Sequence, residues 1–352
     1  MKVKIFLVLF VVYGLFIPQF SIAQSAQYEI IDLGIMLNPV DVNNEGDVVG
    51  SSIVGNRQGF IWSAGKVTQL KGEGITRITP RAVNDSKVIA GSALHQDGLV
   101  KPLLINNNQI STSAFNGVLT SINSSGMSTG SISYTDGTTD AILLNNSEVQ
   151  YFNTQADSNV NSKSINVSGK VVGFFDTQER VVNGKGNHST KTAFISNNKG
   201  INELGTLGGD SSYALSINKE GKVVGSSEIK TTETISPKHA FLWEDGVMTD
   251  IGTLCGDMSE ARDINTSGDI VGSSSIEGSK ISHAVIWKNS IITDLNNLIP
   301  ENSGWVLKNA AAINDKGWIV GAGYLDEKFH GYLIVPITSI QDNAVNTNAG
   351  VN

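Results

Sequence analysis

A short motif recurs seven times along this chain of 352 residues: an Asn, then a turn, then a Gly seven residues after the Asn. The asparagines are Asn43, Asn84, Asn123, Asn166, Asn218, Asn265 and Asn314. The partner glycines are Gly50, Gly91, Gly130, Gly173, Gly225, Gly272 and Gly321. Successive copies lie 41, 39, 43, 52, 47 and 49 residues apart. This is the length of a supersecondary unit that buries its apolar face only by stacking on its neighbours. The motif therefore indicates a repeat architecture.

The copy around Asn218 shows what one repeat contains. Tyr213–Asn218 alternates as a short strand, and Lys219-Glu220-Gly221 ends in a Gly that can take the positive φ of a hairpin turn. Lys222–Ser227 predicts the returning strand. His239–Trp243 predicts a third, buried strand, and Val247–Ile251 predicts a fourth after another turn. Each repeat therefore predicts four antiparallel strands.

Four strands in about 45 residues is the size of a propeller blade, whereas a coil of a parallel β-helix needs only about 20 to 25 residues. Seven motifs thus predict an all-β, seven-bladed β-propeller. The last copy has a third strand at Gly331–Val335 but no fourth, and Tyr28–Gly34 resembles a fourth strand that no others precede. We therefore predict that the N-terminal strand pairs into the last blade and closes the ring, which removes exposed sheet edges.

Four segments carry a resemblance to a known family: GTLGG at Gly205–Gly209, SINKEGKVVGSS at Ser216–Ser227, HAFLW at His239–Trp243 and DIGTL at Asp250–Leu254. They resemble the bacterial extracellular repeats of the HAF family. The resemblance implies secretion and a repeat-built β fold, and it implies no reaction. Copies two and three depart most, with Lys87 at the turn Gly position, Pro102 inside the third strand and no GTLGG segment.

The N-terminus reads as a secretory signal peptide over residues 1–23. Lys2 and Lys4 precede an apolar run from Ile5 to Phe16, and small residues lead up to Ala23, where we expect cleavage. The apolar run is short for a membrane span, and no second one follows. We predict a signal peptide (1–23), one propeller domain (24–338) and a polar, loose tail (339–352), in a protein that is secreted to the extracellular space or the periplasm without an anchor.

Cysteine content and charge narrow the class of protein. Cys255 is the only cysteine, so no disulfide can form within the chain. The net charge is −8, and it becomes −10 when two lysines leave with the signal peptide. An acidic chain of this kind is a poor candidate for binding nucleic acid or an anionic membrane.

Three histidines, His239, His283 and His330, occupy the same repeat position in successive copies. A shared metal site is one interpretation, because His is a common metal ligand. Equivalent positions in a ring are separated by whole blades, however, so we favour a hydrogen-bonded His at the start of the third strand. Gln58 and Asp140 stand at this position in other copies and suit that role. We expect no metal and no cofactor.

Asp41–Gly46 and Asp263–Gly268 resemble the opening of a calcium loop, since oxygen ligands alternate before a turn Gly. Ser52 and Ser274 stand where a calcium loop needs a bidentate acid. We therefore interpret both segments as repeated hairpin turns, in which the Asn side chain bonds its own local backbone.

Three cations lie three residues before a repeat Asn: Arg81, Lys163 and Arg262, in copies two, four and six. If the first strand of each blade is innermost, these side chains border the central channel and could bind an anionic group. The alternative is ordinary charge pairing, for example of Arg262 with nearby acids.

No recognisable catalytic motif is present. The connections between strands two and three, and those between blades, are long and irregular, and such loops on a rigid scaffold commonly carry binding residues. On these loops we place further candidate ligand-binding residues: Arg180, His188, Asp210, Glu228, Lys238 and Asp257. Our leading hypothesis is a secreted recognition or scaffold protein, most simply a monomer, that binds an extracellular protein or glycan. The alternatives are a channel-centred hydrolase or lyase acting on an extracellular polysaccharide or similar polar substrate, and a structural matrix protein.

Overall fold

The computed structural model describes residues 26–337, apart from 147, 153–158, 181–188, 198–199, 232–235 and 278–280. The predicted signal peptide, the predicted tail and His188 lie outside the described residues. The structure is a β-propeller of seven four-stranded antiparallel sheets, as predicted. In the described part of the chain the one helical element is a single 3-10 turn, Leu295–Asn297.

Six blades consist of four consecutive strands each. Blade one contains β2 (Leu37–Val42), β3 (Val48–Ser52), β4 (Gly59–Ser63) and β5 (Lys66–Gln69). Blade two contains β6 (Ile75–Val83), β7 (Ile89–His95), β8 (Val100–Asn106) and β9 (Gln109–Thr112). Blade three contains β10 (Gly117–Ile122), β11 (Ser128–Ser133), β12 (Thr139–Asn145) and β13 (Glu148–Phe152). Blade four contains β14 (Val160–Ile165), β15 (Val171–Arg180), β16 (Ser189–Asn197) and β17 (Gly200–Gly205). Blade five contains β18 (Gly208–Ile217), β19 (Val223–Ile229), β20 (Lys238–Glu244) and β21 (Val247–Asp250). Blade six contains β22 (Ser259–Ile264), β23 (Ile270–Ser275), β24 (Ser282–Lys288) and β25 (Ile291–Asp294).

Blade seven joins the two ends of the described chain. It contains β26 (Trp305–Ile313), β27 (Ile319–Leu325), β28 (Lys328–Pro336) and the N-terminal strand β1 (Tyr28–Ile35). β1 pairs antiparallel with β28, from Tyr28 opposite Pro336 to Ile35 opposite His330. The predicted closure by the N-terminal strand is confirmed, and the last blade has its full set of four strands.

The two departures from the repeat in blade two are absorbed without loss of a strand. Lys87 adopts φ +62°, the left-handed conformation that Gly takes in other copies of the turn. Its ammonium nitrogen lies 3.2 Å from an oxygen of Asp47. Pro102 lies inside β8 opposite Ser92, and its carbonyl accepts from the backbone of Ser113.

The hydrophobic core lies between blades. One cluster joins Val224 and Ala240 of blade five to Ala261, Val285 and Trp287 of blade six. The Trp287 indole N–H also donates to the carbonyl of Ile251, 2.9 Å away in the preceding blade. Because each blade buries its faces against its neighbours, the stability of the sheets and the closure of the ring depend on each other.

The seven repeat asparagines form a closed ring, which we call the Asn ring. Each side-chain amide donates to the backbone carbonyl of the Asn in the next blade, over 2.8 to 3.2 Å, and Asn314 donates to Asn43. Each side-chain oxygen also accepts from the backbone N–H four residues later in its own turn. All seven residues are buried. The Asn therefore shapes its own hairpin, as predicted, and also links it to the next blade.

Two faces of the ring follow from this topology. The Asn face carries the tight turns that begin at the Asn ring, between strands one and two of each blade. The loop face carries the connections between strands two and three and those between blades. No helix in the described part is both long and apolar enough to cross a bilayer.

Candidate functional site in the central channel

The innermost strand of every blade contains a β-bulge at the same place. In blade two, Pro80 pairs with Gly91 and Ala82 pairs with Ala90, so Arg81 has no partner of its own. The other six blades show the same register shift. We call the bulged residues the bulge layer; they are Val40, Arg81, Thr120, Lys163, Leu215, Arg262 and Ala311.

The bulge explains why the residue seven positions after each repeat Asn is a Gly. The bulged strand crosses so close that a Cβ added at Gly225 would lie within 3.0 Å of the Tyr213 carbonyl oxygen. The same contact with an innermost-strand carbonyl arises at the other six motif glycines. A bulge re-aims the side chain it carries, so the Gly of the repeat fixes a position whose own side chain is unconstrained by pairing.

All seven side chains of the bulge layer line one cavity of about 310 Å³ in the central channel. Arg81, Lys163 and Arg262 therefore line the same cavity, although they come from alternate blades. Asn38 and Asn309, further along the innermost strands toward the loop face, line the same cavity. The structure thus brings together the three cations that the sequence placed at equivalent repeat positions.

The charges in this cavity are only partly balanced. Arg262 forms an ion pair with Glu260, 2.8 Å away, while neither Arg81 nor Lys163 pairs with an acid in the described part of the chain. Burial lowers the pKa of Lys163, and the nearby Arg81 lowers that pKa further, against a smaller opposing effect of Glu260. Two cations that repel each other in a partly desolvated cavity favour an anion between them.

A line of aromatic and cationic side chains extends from this cavity toward the loop face. The Lys163 ammonium lies 5.2 Å from the centre of the Phe174 ring, which meets Tyr213 edge to face at 5.0 Å. On the other side, Lys238 lies over the Tyr213 ring at 4.2 Å. Lys238, which the sequence places on the loop face, is therefore connected to Lys163 through the rings of Phe174 and Tyr213.

Two carboxyls lie next to the bulge layer, one residue closer to the Asn face. Asp41 accepts from the backbone N–H groups of Val42 and, across the blade boundary, Val83 at 2.8 Å. Burial, with a contribution from Asp263, raises the pKa of Asp41 to about 7 despite these bonds. Both residues are half-buried.

Asp263 bridges three blades. It accepts from the Ser216 hydroxyl at 2.7 Å and from the backbone N–H groups of Ile264 and Ile313 at 2.9 and 2.8 Å. Burial raises its pKa to about 6, and these hydrogen bonds offset part of the rise. Asp41 and Asp263 therefore both accept hydrogen bonds from neighbouring blades.

A larger cavity of about 540 Å³ opens at the Asn face, lined by the Asn ring and its turns. A second arc of hydrogen bonds crosses the ring closure here: Thr266 donates to Asp315, Asp315 to Asn44, and Asn44 to Asp85. At the corresponding turn position, blades three to five carry Ser124, Val167 and Lys219. The arc therefore reinforces blades six, seven, one and two, where the chain ends meet.

The three repeat histidines each bond an Asp near the end of the outer strand of their own blade. Nδ1 lies 2.7 Å from Asp250 for His239, 2.6 Å from Asp294 for His283 and 2.9 Å from Asp32 for His330. The prediction of hydrogen-bonded histidines is confirmed.

The same position is hydrogen-bonded in other blades. Gln58 donates to the Leu70 carbonyl, and Asp140 accepts from Tyr134. Across the residues that the structure describes, no group of three or more His, Cys, Asp or Glu is placed to hold a metal ion.

Three of the remaining loop candidates, Asp210, Glu228 and Asp257, lie on the loop face in blades five and six. The backbone N–H of Asp210 donates to Glu228, at 3.3 Å, so these two residues are adjacent. Asp257 is exposed just before β22. Arg180 ends β15, and its side chain falls outside the described part, as does the whole of His188. The structure therefore places Asp210, Glu228, Lys238 and Asp257 at one end of the channel without gathering them into a single cavity.

Sequence reasoning did not single out several residues of this site. Tyr213 and Glu260 lie two positions before the bulge, where the alternation of a strand returns a side chain to the channel side. Phe174 follows the motif Gly of its blade. The repeat alignment contained a usable signal, since these positions keep a fixed offset from the Asn ring, but only the bulge shows which offsets face the channel.

Comparison with known proteins gives a fold and no family. No protein-family profile matches the chain, and no curated protein sequence matches it significantly.

Solved structures are similar at low sequence identity. The β-propeller domain of the Trilobed protease from Pyrococcus furiosus superposes with a TM-score of 0.57 at 12% identity, covering 90% of this chain and 99% of that one. A puromycin-hydrolyzing peptidase of Mycobacterium tuberculosis gives a TM-score of 0.54 at 9% identity, and a Pyrococcus horikoshii acylaminoacyl peptidase gives 0.54 at 12%. This chain covers 51% and 52% of those two peptidases, about half their length. The P. furiosus domain is described as having an open velcro topology, whereas here β1 closes the last blade.

Proposed function

We propose that this chain is a secreted recognition protein that binds an extracellular glycan or protein on its loop face and catalyses no reaction. The observation that carries the proposal is the cationic cavity of the bulge layer, in which Arg81 and Lys163 face a common space without an acidic partner in the described chain. Side chains held in this way are ready to receive an anion.

The surroundings of this cavity support binding over chemistry. Lys238 and Asp210 extend the polar surface onto the loop face, where the connections between strands differ from blade to blade. The carboxyls of Asp41 and Asp263 have the raised pKa of a general acid, but their oxygens already accept from backbone N–H groups of neighbouring blades.

The alternative function is a channel-centred hydrolase or lyase acting on an extracellular polysaccharide or other polar substrate. It is favoured by the same two carboxyls, which would need to release their backbone partners before transferring a proton.

We also propose that the chain belongs to the HAF repeat family, which the GTLGG, SINKEGKVVGSS and HAFLW segments support. We propose further that the chain is exported through its N-terminal 23 residues, which the basic and apolar N-terminus supports.

The proposal is tested with the chain from Gln24 to Asn352, presented to immobilised neutral and acidic polysaccharides and to extracellular proteins. A loop-face variant, Asp210→Ala with Glu228→Ala and Lys238→Ala, should lose binding. A variant of the opposite face, Lys219→Ala with Glu220→Ala and Lys316→Ala, should bind as the wild type does. Binding that survives the loop-face variant would refute the location, and shortening of any polysaccharide during incubation would favour the enzyme.

A further inference from the structure

A second cavity adjoins the channel on the loop face, between blades five and six. Its volume is about 280 Å³, and its walls include Lys238 of β20, Met258, and Ser226 and Ser273 of the central strands β19 and β23. Arg262 lines this groove and also lines the channel cavity. The two cavities therefore meet at one guanidinium group.

The channel cavity and the groove, which meet at Arg262, together form what we call the path, and cationic side chains lie at both of its ends and in its middle. Arg81 and Lys163 lie in the channel, Arg262 at the junction and Lys238 in the groove. Glu260 at the junction neutralises one positive charge in part. The path is thus net positive within a chain whose overall charge is −8, so its charge is a local feature and not a property of the whole surface.

The uncharged groups of the groove are suited to hydroxyl-bearing ligands. Neither Ser226 nor Ser273 has a hydrogen-bond partner for its hydroxyl among the described residues, and both line the groove. Each such hydroxyl can donate one hydrogen bond and accept others. The Tyr213 ring lies beneath the Lys238 ammonium, 4.2 Å from ring centre to nitrogen, and so supports this cation from below.

The backbone around the groove argues against a peptide ligand. An extended peptide gains much of its affinity by pairing with an exposed strand edge. Here the strands that present Ser226 and Ser273 are interior strands: β19 is paired on both sides by β18 and β20, and β23 by β22 and β24. A ligand in the groove must therefore be recognised by side chains.

We propose that the channel cavity and this groove together bind an acidic oligosaccharide, with one carboxylate or sulfate of the sugar chain between Arg81 and Lys163 in the channel and a second acidic sugar unit beside Lys238 in the groove. Arg262 contacts the chain where the cavities join. The inference rests on the proposed binding function and specifies its ligand. Cavities of about 300 Å³ each lie at the lower end of the range for small-molecule sites, so each holds a short part of such a chain.

The test is calorimetric titration of the mature chain with galacturonate, tetragalacturonate, a heparin-derived tetrasaccharide, neutral maltotetraose and tetraglutamate. We expect at least one acidic tetrasaccharide to bind, more weakly at high salt, and maltotetraose not to bind. Arg81→Ala should weaken the tetrasaccharide and galacturonate alike, by about tenfold or more for the loss of a charged hydrogen bond. Lys238→Ala should weaken only the tetrasaccharide.

Matched variants separate charge from fold. Arg262→Ala with Glu260→Gln removes the junction cation without leaving its acid unpaired, and it should weaken tetrasaccharide binding by about tenfold. Lys66→Ala removes one positive charge from the outer strand β5 and should change nothing. A melting temperature equal to that of the wild type establishes that each variant is folded.

Several results would overturn the inference. These are no binding of either acidic tetrasaccharide, equal binding of maltotetraose, equal or tighter binding of tetraglutamate, or an equal effect of Lys238→Ala on galacturonate and tetragalacturonate. If the loop-face variant still abolishes binding to some other polymer, the recognition function stands and only the ligand and its path are wrong. If the loop-face variant abolishes nothing, the recognition function fails as well.

Discussion

The side-chain amide of Asn314 donates to the backbone carbonyl of Asn43, 2.8 Å away, and so joins residues 271 positions apart in the chain. This bond closes the Asn ring at the point where blade seven meets blade one. The closing bond joins the same donor and acceptor groups as the six others, and at 2.8 Å it is the shortest of the seven. The ring therefore has no weaker bond at the place where the chain begins and ends.

Loss of one member of the Asn ring should be costly. Asn166 donates to Asn218 across a blade boundary and accepts from Ser168 and Lys170 in its own turn. Asn166→Asp keeps the acceptors but removes the buried donor, and we expect the free energy of unfolding to fall by about 2 to 4 kcal/mol. Urea denaturation measures this, and Asn107→Asp in an exposed turn should change it by less than about 0.5 kcal/mol. Equal effects of the two substitutions would show that the ring bond is unimportant.

The motif glycines and the turn glycines should differ in their response to Ala. At Gly225 an added Cβ meets the Tyr213 carbonyl, so Gly225→Ala should either prevent folding or destabilise by about 3 kcal/mol or more. At Gly137 the Cβ meets nothing within 4 Å, and Gly137→Ala bears only the cost of φ +89°, about 1 to 2 kcal/mol. Melting temperatures of the two variants measure the difference. If Gly137→Ala were the more destabilising, the close approach of the bulged strand would not be the reason for the Gly in each repeat.

Closure by β1 can be tested in trans. A chain that begins at Met36 lacks β1 and exposes the edge of β28, so its melting temperature should be well below that of the intact chain. A peptide of residues 26–36 should restore the melting temperature as its concentration rises, because it binds only the folded ring. The register from Tyr28 to Ile35 defines the peptide, and a scrambled peptide of the same composition is the control. Equal stability of the shortened and intact chains would contradict closure.

Stability should depend on pH through the carboxyls of Asp41 and Asp263. Burial raises the pKa of Asp41 to about 7 and that of Asp263 to about 6, both above the value of about 3.9 for an unfolded Asp. The folded state therefore binds these protons more tightly. The contribution of the two protonated carboxyls to the free energy of unfolding is complete below about pH 4 and is lost as pH rises through 6 and 7.

Asp41→Asn with Asp263→Asn removes both titrations. Between pH 5 and 8 the wild type should lose about 2 to 4 kcal/mol of unfolding free energy that the double variant keeps. Urea denaturation across this range measures the two slopes, with Asp257→Asn, an exposed carboxyl, as the control that should follow the wild type. Parallel slopes for the double variant and the wild type would show that neither carboxyl titrates in this range.

The sequence was enough to predict the ring and its closure. A motif repeated seven times sets the number of blades, and an unpaired first strand complements an incomplete last blade, as β1 and β28 confirm. It also gave two interpretations of Arg81, Lys163 and Arg262, which share a position relative to the Asn: they border one channel if the first strand is innermost, or they form ordinary charge pairs, as Arg262 does with Glu260. The cavity that the three cations share agrees with the first interpretation.

Other features depended on how blades stack, which no single repeat encodes. The local bonds of the Asn side chain could be predicted from turn chemistry, whereas its bond to the next blade exists only after packing. The bulge has no signature of its own, because residues as different as Val40 and Arg81 occupy it. For the same reason Phe174 and Tyr213 were missed, as their proximity depends on the angle between blades four and five.

The bulge separates what holds this fold together from what the channel contains. The Gly opposite it and the Asn after it supply the close strand approach and the ring of hydrogen bonds that recur in all seven blades. The bulged residue adds only contacts that differ from blade to blade, such as the packing of Val40 and the hydrogen bond from Thr120 to the Thr129 carbonyl. Seven positions around the axis can therefore each change identity alone, from aliphatic to hydroxyl to cation, while the scaffold stays the same. A chain of this design can acquire a new specificity by substitution in one blade at a time, and the alternation of Arg81, Lys163 and Arg262 with uncharged neighbours is one combination among many.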